Sequence, residues 1–110
     1  MKKVNDIAWK GCKEKMHIKE FQELMHQLYF ERDSERGIKG TLDWLKDEVE
    51  ELKEALEKND IQAAEEEFAD VLAWLASLAN IININLEKVA FSKYTNKCPK
   101  CGFSPCKCQY

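Results

Sequence analysis

Four acids, Glu48, Glu51, Glu67 and Asp70, form two x-x-spaced pairs separated by fifteen residues. A spacing of three puts both acids of a pair on one side of a helix. A solvated acidic face normally carries Lys or Arg three or four positions away. None of the four acids has such a neighbour, and no basic residue occurs between Lys58 and Lys88. Like charges 4 Å apart repel by about 4 kcal/mol at an effective dielectric near 20, and four of them compound the cost. Protonation relieves part of this. A divalent cation relieves more, and ligands that are all oxygen suit Mg²⁺ or Mn²⁺. The alternative is a partly exposed acidic face without an ion. A di-iron centre is disfavoured, because it needs Glu-x-x-His pairs on two helices. Both histidines, His17 and His26, fall on a single predicted helix, where surface or packing roles suffice.

A second set of ligand-type residues closes the chain. Cys98, Cys101, Cys106 and Cys108 follow a C-x2-C-x4-C-x-C spacing, and Cys12 stands alone as an inert thiol. In a reducing compartment such a cluster reads as a metal site before it reads as disulfides. The first half, Cys98-Pro-Lys-Cys101-Gly, has knuckle spacing; the second half is compressed, so this is no full zinc ribbon. Four thiolates close one tetrahedral Zn²⁺ and leave no open position, which makes the ion structural. Disulfides or unligated thiols are the competing reading.

These residues need elements to hold them. Ile18, Phe21, Leu24, Met25, Leu28 and Tyr29 recur at helical spacing and predict a first helix over residues 17–32 with one apolar face. Residues 33–40, polar and carrying two glycines, read as a loop, either a connector or a lid. Thr41 is a candidate cap for a second helix reaching about residue 58, Asp60 for a third over 61–82, and Asn85 for a short one through 94. The chain is therefore expected to be all-α. A lead-in covers residues 1–16, a helical domain 17–95 and a Cys-rich tail 96–110.

Helices two and three, joined by two or three residues, form an antiparallel hairpin. On helix two Leu42, Leu45, Val49, Leu52 and Leu56 make the apolar arc; on helix three Ile61, Ala64, Phe68, Val71, Leu72, Leu75, Leu78, Ala79 and Ile82 do. The four acids sit outside these arcs, beside Trp44 and Trp74. Antiparallel register sets Trp44 opposite Trp74, Glu48 opposite Asp70 and Glu51 opposite Glu67. Ala69, Ala73 and Ala76 fall on the expected outer face of helix three, so that helix is apolar nearly all round. A chain this short covers such a helix poorly, which predicts a bundle completed by a homodimer.

Composition narrows the partners. The 110 residues suit one domain, and 17 basic against 20 acidic residues give a net charge of −3. That balance offers no overall excess of positive charge for a nucleic-acid backbone, so a nucleic-acid partner is not expected. No apolar run approaches the roughly 18 residues of a membrane span. Five lysines among the first fifteen residues lack the apolar stretch of a secretory signal. Together with the cysteine usage, this predicts a cytoplasmic protein without a membrane partner.

The acid pattern resembles the MazG-like nucleotide pyrophosphohydrolases, of the all-α NTP pyrophosphatase superfamily. The likeness extends over W-L-K-D-E-V-E-E-L (44–52), E-E-F-A-D-V-L-A-W-L (66–75), N-L-E-K-V (85–89) and K-Y (93–94) into the Cys-rich tail. It spans about residues 17–108. The resemblance implies hydrolysis of a nucleoside or deoxynucleoside triphosphate to the monophosphate and pyrophosphate, used in clearing unwanted nucleotides. It implies Mg²⁺ held by Glu48, Glu51, Glu67 and Asp70, a water oriented by the metals and one carboxylate, and a dimer or tetramer. Phosphoryl chemistry needs cations that gather the oxygens of the substrate and a nucleophile drawn from water. Trp44 and Trp74 are candidates for base contact, and Lys93 stands where relatives carry a basic residue suited to phosphate. Lys88, Arg32 and Arg36 are weaker candidates. The chain departs from its relatives at Glu50, where many carry glycine, and at Asn85, where many carry Asp. Glu50 falls on the outer arc, away from the acids, and Asn caps a helix about as well as Asp. A loss of ligand at position 85 would put one ion in doubt. The competing reading from another class is a non-catalytic interaction module that uses the zinc tail to bind a partner.

Overall fold

The computed structural model describes residues 16–109; the lead-in before Met16 and Cys12 lie outside the described residues. Three helices follow one another: α1 (Ile18–Glu57), α2 (Ile61–Ile81) and α3 (Leu86–Lys93). No strand occurs among the described residues, and α1 packs along α2. The expected all-α architecture around an antiparallel helix pair is what the chain adopts. Among the described residues no single helix is long and apolar enough to cross a membrane.

The caps at the two later helix starts are those expected. The Asp60 carboxylate accepts from the Ala63 N–H at 3.1 Å and the Asn85 side chain accepts from the Lys88 N–H at 3.0 Å, each satisfying an orphan donor. The two breaks between helices are made by Asn59 and Asn83, both with positive φ, a conformation asparagine tolerates better than most residues.

The expected loop over residues 33–40 is not a loop. Only Gly37 leaves helical geometry, at φ 83° and ψ 175°, so α1 is two helical arms that meet at a kink, with one residue where a loop of eight was expected. A side chain at such a φ is strained, which is why glycine stands there. Gly40 is needed for a different reason. A Cβ there would lie 2.7 Å from Arg36 Cγ, so its missing side chain is where Arg36 lies down. Thr41 is no cap either. It is completely buried, and its hydroxyl accepts a hydrogen bond from Arg36 Nη1 at 3.2 Å.

Packing also departs from the expected stripes. The arm of α1 before Gly37 buries Gln22, Met25 and Asp33, while Ile18, Leu28 and Tyr29 are exposed. Gln22 acts as a clamp: its amide donates to Asn80 Oδ1 and the Ile84 carbonyl and accepts from the Leu86 N–H, tying this arm to the α2–α3 junction. After Gly37, the less exposed positions are Thr41, Leu45, Glu48, Leu52 and Ala55. On α2 they include Ala64, Glu67, Val71, Trp74 and Leu78. Both sets alternate steps of three and four, the signature of a helix face laid against a neighbour. One acid from each pair thus sits in the seam. Leu42, Val49, Leu56, Ile61, Phe68, Leu72, Leu75 and Ile82, most of the expected apolar arcs, are exposed instead. Of the supposed outer alanines, Ala76 is buried and only Ala69 is exposed.

Candidate active site and metal centres

Three of the four acids converge. One carboxylate oxygen each from Glu48, Glu67 and Asp70 lies within 4.8 Å of the others. Glu51, exposed at the edge, leans on Glu67, whose charge is the first cause raising the Glu51 carboxyl above its ordinary value. Among the described residues the ion pairs are Arg36–Asp33 and Lys39–Asp43, so no basic side chain neutralises the cluster. Glu48 Oε1 and Glu67 Oε1 are buried and make no hydrogen bond. A buried acceptor without a partner is costly. An all-oxygen donor set with two orphaned oxygens fits a hard dication.

Glu48 is pushed up to about 7. Desolvation in the seam is the largest cause, followed by the neighbouring Glu67 carboxylate, to which only a protonated Glu48 can donate, and by the charges of Glu51, Asp70 and Glu67. Between its ordinary value near 4.5 and about 7 the folded carboxyl holds more proton than the unfolded one. Stability contributed by this group is therefore full at low pH and lost as pH rises through that window. A bound cation works in the opposite sense, because it requires the ionised form. Melting of the metal-free protein should fall between about pH 5 and pH 8, and saturating Mg²⁺ should raise Tm more at the higher pH. Equal stabilisation by Mg²⁺ at both would contradict a carboxylate cation site.

Trp44 and Trp74 do meet, but on each other: their rings stack almost parallel at 7°, with centroids 5.5 Å apart. The Arg36 guanidinium lies 4.8 Å from the centroid of the Trp74 ring. A straight helix would carry residues 36 and 44 about 12 Å apart along its axis. The bend at Gly37 lets both reach one indole. Beside this group is a cavity of 260 Å³ lined by Tyr29, Arg32, Asp33, Arg36, Asp70 and Trp74. Asp33, 2% exposed, accepts on Oδ1 from Arg36 Nη1 at 2.9 Å and leaves Oδ2 without a partner. Sequence reasoning placed Asp33 in a loop and missed it. The available signal was the continuation of the 22, 25, 29 spacing to 33, followed three residues later by Arg36.

The other expected site residues lie elsewhere. Lys93, at the end of α3, is exposed, with its Nζ 5.7 Å from the Tyr94 ring centroid, and lines a cleft with the Cys-rich tail; none of the four acids lines that cleft. Lys88 is exposed on α3. His17 precedes α1, its N–H donating to Glu20 Oε1, and His26 stacks on Phe30.

In the tail, the four cysteines are reduced thiols whose sulfurs lie within 4.8 Å of one another. Cys98 Sγ is 3.7 Å from Cys108 Sγ, and Cys101 Sγ is 3.9 Å from Cys106 Sγ. Tetrahedral Zn–S bonds of about 2.3 Å set sulfurs about 3.8 Å apart, so the spacing fits. Gly102, at φ 78°, closes a turn in which its N–H donates to the Cys98 carbonyl. Backbone N–H groups then point at sulfur: Lys100 to Cys98, Lys107 to Cys101 and Cys108 to Cys106. Such bonds hold the Cys98 and Cys101 thiols below their ordinary value and favour the thiolate that metal binding requires. Cys108 is pushed up to about 12, first by its hydrogen bond with Cys106 and then by those with Cys98 and Cys101. Crowded sulfurs resist a further negative charge until a cation compensates them.

Fold and site together define a small helical protein built around a cation-ready acidic seam. A family model described as the MazG nucleotide pyrophosphohydrolase domain matches residues 36–102, and the chain belongs to that family. Membership implies a nucleotide substrate and a dependence on metal. No curated protein matches the chain. The match begins at Arg36, so the α1 arm that supplies Tyr29, Arg32 and Asp33 to the cavity lies before it.

Proposed function

We propose that this chain is a Mg²⁺-dependent pyrophosphohydrolase that splits nucleoside or deoxynucleoside triphosphates into the monophosphate and pyrophosphate, in the removal of unwanted or modified nucleotides. The observation that carries the reading is the pair of buried, partnerless oxygens on Glu48 and Glu67, beside Asp70, in a chain of this family. Glu48, Glu51, Glu67 and Asp70 would hold Mg²⁺ or Mn²⁺. Bound there, the ion neutralises triphosphate charge and makes water a better nucleophile.

The chain's own contributions follow from the geometry. Two helices in register hold the acids, so the site needs no loop closure to assemble. One of these carboxylates also orients the attacking water, and Glu51, exposed at the rim, is our choice. The 260 Å³ cavity beside Asp70 takes the nucleoside end, with Trp74 as an apolar wall and Trp44 stacked behind it. Asp33 Oδ2 is available there to an N–H of the substrate. Lys93 is assigned to phosphate on the resemblance alone. The acting species is a homodimer or tetramer. We divide the chain into an extension (1–16), the hydrolase domain (17–95) and a tail (96–110) in which Cys98, Cys101, Cys106 and Cys108 hold a structural Zn²⁺. Reduced thiols of this kind suit a cytoplasmic setting.

The direct test supplies a panel of common and modified triphosphates with Mg²⁺ and assays pyrophosphate. Release of orthophosphate instead, or no turnover of any nucleotide, would overturn the reading. For the tail, purified protein should carry about one zinc per chain. Cys101→Ser should lose the metal while leaving the helical far-ultraviolet signal intact, since the three helices end before Cys98. Full zinc retention by that variant would contradict a four-thiolate site.

A further inference from the structure

We propose that the tail is a second binding site, for single-stranded nucleic acid. The whole-chain charge of −3 conceals a segregation: all 20 acidic residues precede Lys88, and Lys88, Lys93, Lys97, Lys100 and Lys107 follow with no acid among them. Charge asymmetry of this kind marks a segment for a polyanion even when the sum is negative.

The structure gathers this charge on one feature. A cleft of 1090 Å³ runs from the end of α3 through the cysteine turn, and Lys93, Lys97 and Lys100 line it together with Tyr94 and Phe103. Among the described residues no Asp or Glu lines it. Tyr94 is 60% exposed and Phe103 53%, and Lys93 Nζ lies 5.7 Å from the Tyr94 ring centroid. Neither ring stacks on another described aromatic. Lysines that follow a phosphate backbone, interleaved with rings on which bases stack, are the components of single-strand recognition. A duplex keeps its bases stacked inside and offers these rings nothing. The tail also has no helix to enter a major groove, since Thr95 onward is turns and bends. An acidic peptide would meet the lysines and leave the rings unused. Lys97 and Lys100 flank Cys98 in the chain, and three of the four clustered cysteines line the same cleft.

The test uses the zinc-loaded full chain and a fluorescent 15-residue oligothymidylate, titrated at several salt concentrations. Binding in the micromolar range is expected, weakening with salt by a log–log slope of about −0.7 for each phosphate neutralised. Lys97→Gln with Lys100→Gln should reduce the slope by about 1.4. Tyr94→Ala, outside the cysteine turn, should weaken binding about 5- to 100-fold. Both variants must keep the zinc content and pyrophosphate release of the parent, which separates this site from the acidic seam. No binding at low salt, equal affinity for the matching duplex, equal affinity for polyglutamate, or indifference to both variants would each overturn the proposal.

Discussion

Glu67→Gln is expected to lower pyrophosphate release by about 10³-fold or more. The residue touches each of the other acids: it lies against Glu48, is the first cause of the raised Glu51 carboxyl, and converges with Asp70. An amide in its place removes one anionic ligand. A positioned cation supplies several kcal/mol to phosphoryl chemistry, and each 1.36 kcal/mol is a factor of ten. The same change has the opposite effect on the metal-free fold. It deletes one of several crowded negative charges and gives Glu48 Oε1 a hydrogen-bond donor, so the variant should melt no lower than the parent without Mg²⁺. It should also lose most of the parent's stabilisation by Mg²⁺. Undiminished turnover would contradict the assignment of the site, and a loss of turnover accompanied by a lower metal-free Tm would assign Glu67 to packing instead.

Phe68→Asp should break the assembly. Among the described residues the buried apolar side chains are Met25 and four alanines, Ala55, Ala64, Ala76 and Ala79. A domain this small with so little apolar burial is marginal as a monomer. Meanwhile Phe68 is 57% exposed on a face shared with Ile61, Leu72 and Leu75, far more apolar surface than an isolated soluble helix leaves uncovered. A second copy would bring the same face and cover both at once, as an isologous interface requires. Aspartate at its centre should raise the dimer Kd by about 30- to 1,000-fold, the range of an aromatic hot spot. Light scattering after size exclusion would read this as a shift to monomer, with Tm falling and losing the concentration dependence that a dimeric parent shows. Lys46→Asp, on the exposed charged side of α1, serves as the control and should leave the mass unchanged. A parent chain that is monomeric and melts cooperatively at every concentration would refute the dimer.

The two variants differ in what made their residues visible. Glu67 stands out by the i, i+3 acid spacing, the lack of basic neighbours and the short Asn59-Asp60 break, all local facts. A tight connection forces an antiparallel pair, and antiparallel register then sets Trp44 on Trp74 and Glu48 near Asp70. Phe68 was legible as apolar, but its place was not. Helix α2 carries apolar residues on more than one side, so periodicity alone leaves two faces to choose between. One acid of each pair and Trp74 entered the seam beside Leu45, Leu52, Val71 and Leu78, and most of the aliphatic arc was left outside. Iso-energetic helix faces are decided by which partner surface is present, and that is a tertiary matter.

Helix type, the Asp60 and Asn85 caps and the cysteine cluster follow from residues within a few positions of each other, where backbone geometry and short-range hydrogen bonds dominate. The sequence by itself therefore determined the all-α class, the acid pairs and the thiol site. The bend at Gly37, the burial of Asp33 and Thr41 and the cavity beside Asp70 depend on one Arg36 side chain. It lies across Gly40, bonds Asp33 and Thr41, and covers Trp74. Trp74 comes from a different helix. Only the packed structure settled these features, because a residue distant in the chain had to be in place before either the bend or the buried charge became favourable.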